Sequence, residues 1–319
     1  MSGLTGEQVT RFGQDGYLVV EDVFSQLADV QPVRDEYCLL LNDWCSRWIA
    51  EGKLAESVAA LTFEEQLLAV YRAGIDYCQP LDISLPPGTI DADMPLHTGP
   101  AIFNLMRSEK LLDCVQSLIG AELTSNPIQH VRIKPPESLV NSTEVRSFIT
   151  STDWHQDRAT TLAEADETKM VTAWVAITDA TELNGCLQVI PGSHREAMQA
   201  HCPLPQLGIP DRLLKNRETR PLPVRSGGVV LFHPLTIHGS LSNRSTAIRW
   251  SFDLRYNVTG QPTGRPMFPS FVARSRLAPE SELRDAQTWK QLWLDTRERL
   301  SGGAPVQIHR WNSESEVCA

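Results

Sequence analysis

The chain has 319 residues, 41% hydrophobic and 21% charged, which is enough for a sizeable core and ordinary for a soluble globular enzyme. Its formal net charge of −10 argues against nucleic acid as a partner, because phosphate binding needs a basic footprint. No run of 18 apolar residues exists and Met1 to Gly16 has no apolar signal-peptide core, so neither a spanning helix nor a leader is expected, and the location reads as cytoplasmic.

In chain order, Tyr17-Leu-Val-Val-Glu21 is a short β run behind the turn residues Asp15-Gly16. Helical patterns dominate from about Ser25 to Cys78. Val33, Tyr37, Leu40, Leu41, Trp44 and Trp48 recur at spacings of three and four, and Phe63 to Tyr77 repeats the pattern with Leu67, Leu68, Val70, Tyr71 and Ile75. Ser108 is a plausible N-cap for a helix from Glu109 to Ile119, ended by Gly120. The character changes at about Ile128. Short apolar runs follow with turn signals between them: Ile128–Ile133, Val171–Ile177, Leu187–Ile190, Gly228–Phe232, Thr236–His238 and Ala247–Tyr256. Many short strands at fairly even spacing predict a double-sheet jelly roll that cups a ligand. An amphipathic helix, Pro279 to Leu300, carries Leu283, Trp289, Leu292, Trp293 and Thr296 on one face. The expected organisation is one domain over residues 1–300, mostly β with flanking helices. It has a helical buttress (25–120), a jelly-roll core (128–257), a C-terminal helix (279–300) and a tail (301–319). The seven scattered cysteines (Cys38, Cys45, Cys78, Cys114, Cys186, Cys202, Cys318), odd in number and without a C-x-x-C pair, predict buried thiols for most of them in a reducing compartment, not a disulfide framework or zinc ribbon.

Two separated stretches carry chemistry. His155 and Asp157 are two residues apart, so on a strand both side chains share a face. His238 lies 81 residues after Asp157 and must come from another strand that returns to the same place. Two imidazoles and one carboxylate form a ligand set for Fe(II) that leaves three positions open. Arg249, 11 residues after His238, is far enough on for the chain to turn and run back, and its guanidinium suits the forked grip of a dicarboxylate.

These residues stand in longer strings: Trp154-His-Gln-Asp157, Asn184-Gly-Cys-Leu-Gln-Val-Ile-Pro-Gly-Ser-His194 and Gly227-Gly-Val-Val-Leu-Phe-His-Pro-Leu-Thr-Ile-His238. Together with the opening Gly16-Tyr-Leu-Val-Val-Glu-Asp-Val-Phe24, they resemble the phytanoyl-CoA dioxygenase family of non-haem Fe(II)/2-oxoglutarate-dependent oxygenases. The resemblance implies a double-stranded β-helix of cupin-like type, with His155, Asp157 and His238 as iron ligands and Arg249 on the distal carboxylate of 2-oxoglutarate. It further implies that Ser240 donates its hydroxyl to the co-substrate, that Trp174 supplies an aromatic beside it, and that Lys134 faces the site. Arg132, on the same strand face, is the alternative to Lys134. The cofactors implied are Fe(II), 2-oxoglutarate and O2. The implied reaction oxidises a C–H bond of a small organic molecule, a specialised metabolite or an acyl-CoA, with release of succinate and CO2. Asp157 stands where halogenating relatives free a position for chloride, so hydroxylation is the default outcome.

Other features have plainer readings. His97, His130, His194 and His233 are expected to be structural, and Arg212, Lys215, Arg217, Arg220 and Arg225 to lie on a solvated Pro-rich loop. Arg158 to Lys169 is an expected lid and Asp91 to Asn104 a second wall, with Met94, Leu96, Ile102, Phe103 and Met106 as an apolar pocket lining. The substrate-binding residues, the substrate and the oligomeric state are not legible. Two other functions stay open. One is a different cupin-type metalloenzyme (an isomerase or a co-substrate-independent dioxygenase), which has no need of Arg249; the other is a non-catalytic binding protein.

Overall fold

Strict alternation governs residues 249–258: on a strand it sends Trp250, Phe252, Leu254 and Tyr256 to one side, and Arg249, Ser251, Asp253, Arg255 and Asn257 to the other. The computed structural model describes residues 3–75, 79–139, 152–203, 207–308, 310 and 315–318, and in it this stretch is a long inner strand. The first part of the chain comprises α1 (Gly6–Asp15), β1 (Tyr17–Val20), α2 (Gln31–Ala50), α3 (Phe63–Arg72), α4 (Pro100–Met106) and α5 (Glu109–Ile119). Next come β2 (Leu123–Lys134), β3 (Met170–Ala176), β4 (Leu187–Val189), β5 (Cys202–Pro203), β6 (Leu207–Gly208), β7 (Arg220–Leu222), β8 (Val229–Phe232), β9 (His238–Ser240), β10 (Arg249–Val258) and β11 (Phe271–Arg274), and then α6 (Ala286–Leu300).

The major sheet has the order β1-β8-β3-β10-β2-β11 and the minor sheet β7-β4-β9. All pairings are antiparallel. A bridge between His155 and His238 adds one more rung beside β9. The sheets meet through Trp174, Ala176, Val230 and Phe232 on one side and Leu187, Val189 and Leu222 on the other. This is the jelly roll the strand spacing predicts. The back of the major sheet takes the helices: Tyr37 of α2 packs its ring 5.1 Å from Trp250 and 5.6 Å from Phe252, and Phe63 of α3 lies 5.2 Å from Trp250.

The major sheet outgrows its predicted limits, since β2 begins at Leu123 and both β1 and β11 join its edges. Two helices are additional to expectation. The first, α1, is polar and buries no residue, but it is capped by a Thr5/Gln8 box and ended by Gly16 at φ 80°. The second, α4, begins with Pro100, and its first free amides are met by a distant side chain: Glu36 accepts from Ala101 N (2.7 Å) and Ile102 N (3.3 Å). The same carboxylate holds His97 Nε2 at 2.8 Å, so His97 is structural, as expected.

The cysteine expectation needs correcting. Cys202 and Cys318 form a disulfide that ties the end of the chain to the β5–β6 hairpin, while Cys38, Cys45, Cys114 and Cys186 are free. Residue spacing cannot reveal a bridge spanning 116 positions. Cys78 and Tyr77 lie outside the described residues. No helix among the described residues is long and apolar enough to cross a membrane.

Candidate metal and co-substrate site

The front of the major sheet is polar because the β10 alternation is continued by its neighbours. Register pairs Arg249 with Lys134, Ser251 with Arg132 and Asp253 with His130 on β2; it pairs Asp253 with Trp174 and Arg255 with Thr172 on β3. These side chains form the floor of the cup. Its opposite wall is β9, whose His238 exchanges two backbone hydrogen bonds with His155 (2.9 and 3.0 Å). The segment holding His155 passes so close that a Cβ on Gly239 would meet Thr152 O at 2.7 Å, which reserves that position for glycine.

His155, Asp157 and His238 converge, with one ligand atom from each within 4.8 Å of the others. Each imidazole is fixed by its far nitrogen. His155 Nδ1 donates to Asp153 O (2.8 Å) and His238 Nδ1 donates to Thr236 O (2.9 Å). A carbonyl only accepts, so both Nδ1 atoms carry hydrogen and Nε2 is the atom each ring turns toward the cluster. The two Nε2 atoms face Asp157 Oδ1 at 3.8 and 3.9 Å. Burial, with His238 beside it, brings His155 down to about 3, so it is neutral at working pH and able to ligate. Asp157 is not on the strand itself: it opens a 3-10 turn, Asp157–Thr160, while the buried Gln156 between the ligands is bonded to Leu235 O and Gln199 N. Thr172 Oγ1 donates to Asp157 Oδ2 (2.6 Å), and Arg255 contacts both carboxylate oxygens. Burial pushes this carboxyl up, but Arg255 and the two imidazoles outweigh it and hold it well below the usual range.

Eleven residues after His238, Arg249 is 2% exposed, with its guanidinium carbon 5.2 Å over the Trp174 ring. Its Nη1 donates to Ser251 Oγ (2.7 Å) and its Nε has no protein partner. Burial lowers it to about 10, so it stays charged at neutral pH. Lys134 is equally buried and donates to Ser240 Oγ (2.7 Å) and Leu241 O (2.5 Å). Ser240 Oγ also accepts from Thr152 N (2.9 Å), so both its lone pairs are taken and its hydrogen is left to donate. The structure therefore brings Arg249, Ser240, Trp174 and Lys134 to one end of the cup, beside the ligands. Arg132 instead donates to Asp253 Oδ2 at 2.7 Å.

Arg255 and Thr172 were missed by sequence reasoning. The signal was available, since Arg255 is an even number of residues from Arg249 on an alternating strand, and Thr172 is two before Trp174. One expectation about the walls needs correcting. Ile102, Phe103 and Met106 belong to the helical core behind the major sheet, where Phe103 stacks 5.5 Å from both Phe271 and Trp289, and Met94 and Leu96 pack against that core. Helical spacing in a turn-rich segment hides which side of a sheet it will cover. Residues 158–169, the expected lid, are packed: Arg158, Ala159, Thr161, Ala165 and Thr168 are buried, Arg158 ties the segment to itself at Ala165 O and Thr168 O, and Arg310 clamps it through Asp166. The basic stretch is spent on surface pairs, Arg217 with Glu196, Arg220 with Glu218 and Arg225 with Asp22. His130 is bound to Asp82 (2.9 Å), His194 to Gly13 O (3.1 Å), and His233 accepts from Leu235 N (3.1 Å).

The profile of the phytanoyl-CoA dioxygenase family matches residues 12–251. "Phytanoyl-CoA dioxygenase 1" of Oryza sativa subsp. japonica is 34% identical over 104 residues, 31% of this chain and 36% of the relative. The "Ectoine dioxygenase" of Bordetella parapertussis is 24% identical over 286 residues, 83% of this chain and 79% of the relative. The chain spans a quarter to a half of the length of the first curated relatives it matches. Among solved structures, the non-heme monooxygenase ThoJ aligns over 92% of this chain and 96% of its own with TM-score 0.57 and 16% identity. EctD from S. alaskensis, solved with 2-oxoglutarate and 5-hydroxyectoine, aligns over 81% and 77% with TM-score 0.53 and 20% identity. At such identities the likeness is one of fold. A profile match over most of the chain, on a jelly roll that brings the His155, Asp157 and His238 ligand atoms together, makes this chain a member of the phytanoyl-CoA dioxygenase family.

Proposed function

We propose that the protein is an Fe(II)- and 2-oxoglutarate-dependent oxygenase that oxidises a C–H bond of a small organic molecule. The observation that carries this reading is the pairing of a two-histidine, one-carboxylate cluster, its His155 held neutral by burial, with a buried guanidinium, Arg249, whose Nε lacks a protein acceptor. The donor set suits Fe(II), and the cation suits the far carboxylate of a keto-acid. When bound, iron and 2-oxoglutarate use O2 to oxidise the substrate, with succinate and CO2 as co-products.

The chain's own residues prepare this chemistry. The Nδ1 anchors of His155 and His238 keep both Nε2 atoms aimed at one point. Thr172 and Arg255 hold Asp157 ionised and fixed in rotamer. Lys134 orients the Ser240 hydroxyl so that its hydrogen points away from the two donors already on it, and Trp174 stacks under Arg249. The packed segment 157–168 excludes water from the metal side. The reading treats residues 1–300 as one catalytic unit, acting in the cytoplasm on a small molecule. Relatives bear names as different as phytanoyl-CoA, ectoine and hypophosphite dioxygenase, so the family alone selects no substrate.

The test is an anaerobic titration of the Fe(II)-loaded protein with 2-oxoglutarate, following the weak visible charge-transfer band of a chelated keto-acid. The band is expected in the wild type, weaker in Arg249→Ala and absent in Asp157→Ala. Iron bound without any band sinks the reading and favours a cupin-type metalloenzyme that has no use for Arg249.

A further inference from the structure

Almost every buried charge in the cup has a protein partner. Arg132 is bound to Asp253 (2.7 Å) and Arg255 to Asp157. Asp82 accepts from the amides of Ile83 and Val131, each at 2.9 Å, and is bound to His130. Arg249 and Lys134 face the end of the cup assigned above to the co-substrate. Arg265 is the exception. It is 1% exposed, neither Nε nor Nη1 has a protein acceptor, and Nη2 has only a long bond to Thr160 O at 3.4 Å. It forms no ion pair among the described residues. The bond to Thr160 O sets the guanidinium beside the turn Asp157–Thr160, which begins at a residue of the metal cluster.

The position is built. Gly264, at φ 77°, lies so tightly against the segment after Asp157 that a Cβ there would meet Thr161 Cβ at 2.6 Å. Leu162 N donates to Gly264 O (2.9 Å) and Arg265 N donates to Thr263 Oγ1 (3.2 Å). The backbone that carries Arg265 is thus bolted to the turn that begins at a metal ligand. A guanidinium buried without an anion weakens a fold, and planar N–H donors left unmet at a fixed place suit a forked acceptor. One cation with no carboxylate bonded to it suits a monoanion.

We infer that Arg265 anchors a carboxylate of the substrate, so that the molecule oxidised enters as a free acid and not as its ester, amide or thioester. This rests on the function proposed above and names its substrate class. Arg265 acts on binding and orientation; it is a specificity residue beside the turn Asp157–Thr160.

The experiment uses the full chain loaded with Ni(II) and saturated with N-oxalylglycine, a redox-silent pairing that fills the metal and co-substrate positions. Thermal unfolding is followed with added acetate, hexanoate or hexanamide at matched ionic strength, in the wild type, Arg265→Met and Arg265→Lys. Acetate or hexanoate is expected to raise the wild-type Tm by about 2 °C or more, with hexanamide inert. The carboxylate shift should vanish in Arg265→Met and shrink in Arg265→Lys. Without additive, Arg265→Met should unfold at or above the wild-type temperature, because an uncompensated buried cation has gone. The inference is overturned by no shift with either carboxylate, by equal shifts with acid and amide, or by an undiminished shift in Arg265→Met. It is also overturned if both variants unfold far below the wild type, the mark of a structural strut. A protein that gives no Tm response to Ni(II) and N-oxalylglycine in the first place instead refutes the metal and co-substrate reading, so the two failures are separable.

Discussion

The two faces of β10 are equally dry and chemically opposite. On the back, Trp250, Phe252, Leu254 and Tyr256 pack into the helical core, and stability there is a matter of apolar area and shape. On the front, Arg249, Ser251, Arg255 and Asn257 are buried and Asp253 largely so, and each has a named partner: Arg249 and Ser251 bond to each other, Asp253 to Arg132, Arg255 to Asp157 and Asn257 to Asn126. One strand therefore serves as both foundation and instrument. The back face is tolerant in chemistry and fixed in volume. The front is fixed in chemistry, and its positions are held because the back cannot shift.

That contrast can be broken in four ways of decreasing size. Asp157→Ala is expected to abolish metal-dependent turnover. By leaving Arg255 buried without its carboxylate, it should also destabilise the metal-free protein by about 3–5 kcal/mol in urea unfolding. Stoichiometric iron retained by this variant would refute the ligand assignment. On the other face, Trp250→Ala should lower stability by about 3–5 kcal/mol as well, yet leave iron affinity within about twofold of wild type when measured below its melting range. A large loss of iron affinity there would show that the two faces are not separable. Arg255→Met should weaken iron binding roughly 10–100-fold, since it orients a ligand without touching the metal; isothermal titration under anaerobic conditions decides it. Lys134→Met should weaken 2-oxoglutarate binding roughly tenfold through the misoriented Ser240 hydroxyl, with iron affinity unchanged. Equal losses of both would make Lys134 a structural residue.

How much of this was legible follows from which periodicities are local. The strand spacing, the alternation on residues 247–256 and the His155/Asp157 pair all have short-range patterns, and the resemblance of the surrounding strings supplied His238, Arg249, Ser240 and Trp174 as a set. What stayed hidden depends on long-range geometry. Helix α4 is capped by Glu36, 65 positions before Ala101, and no local rule announces it. The Cys202–Cys318 bridge spans 116 positions among cysteines that look unpaired. Phe103 and Met106 have the apolar character of a pocket, but a residue type does not say on which side of a sheet its helix will pack. Arg255 could have been read from the alternation already in hand. Arg265 could not, because its meaning lies in the missing partner, and only a structure shows a partner to be missing.

The smallest effect separates the front face from the histidines around it. His201 and His233 are held neutral chiefly by burial, each at about 4, against 6.5 when exposed. Gln156 N donates to His201 Nε2 while His201 Nδ1 binds Gln199 O, so its neutral tautomer is the one built in. Between pH 6.5 and 4 the unfolded chain binds protons at these two positions that the folded chain does not. Unfolding free energy of the metal-free protein should therefore be flat above about pH 7 with respect to these groups and fall as the pH drops from 6.5 toward 4. His233→Asn, which can still accept from Leu235 N, should remove up to about 1.4 kcal/mol per pH unit of that slope while leaving stability at pH 8 nearly unchanged. An unaltered slope would show that His233 is not among the groups behind it and leave His201, since the carboxylates Asp157 and Asp253, with lowered values, lose their own contribution at more acidic pH. The midpoint of the fall therefore tells the surrounding histidines from the instrument they enclose.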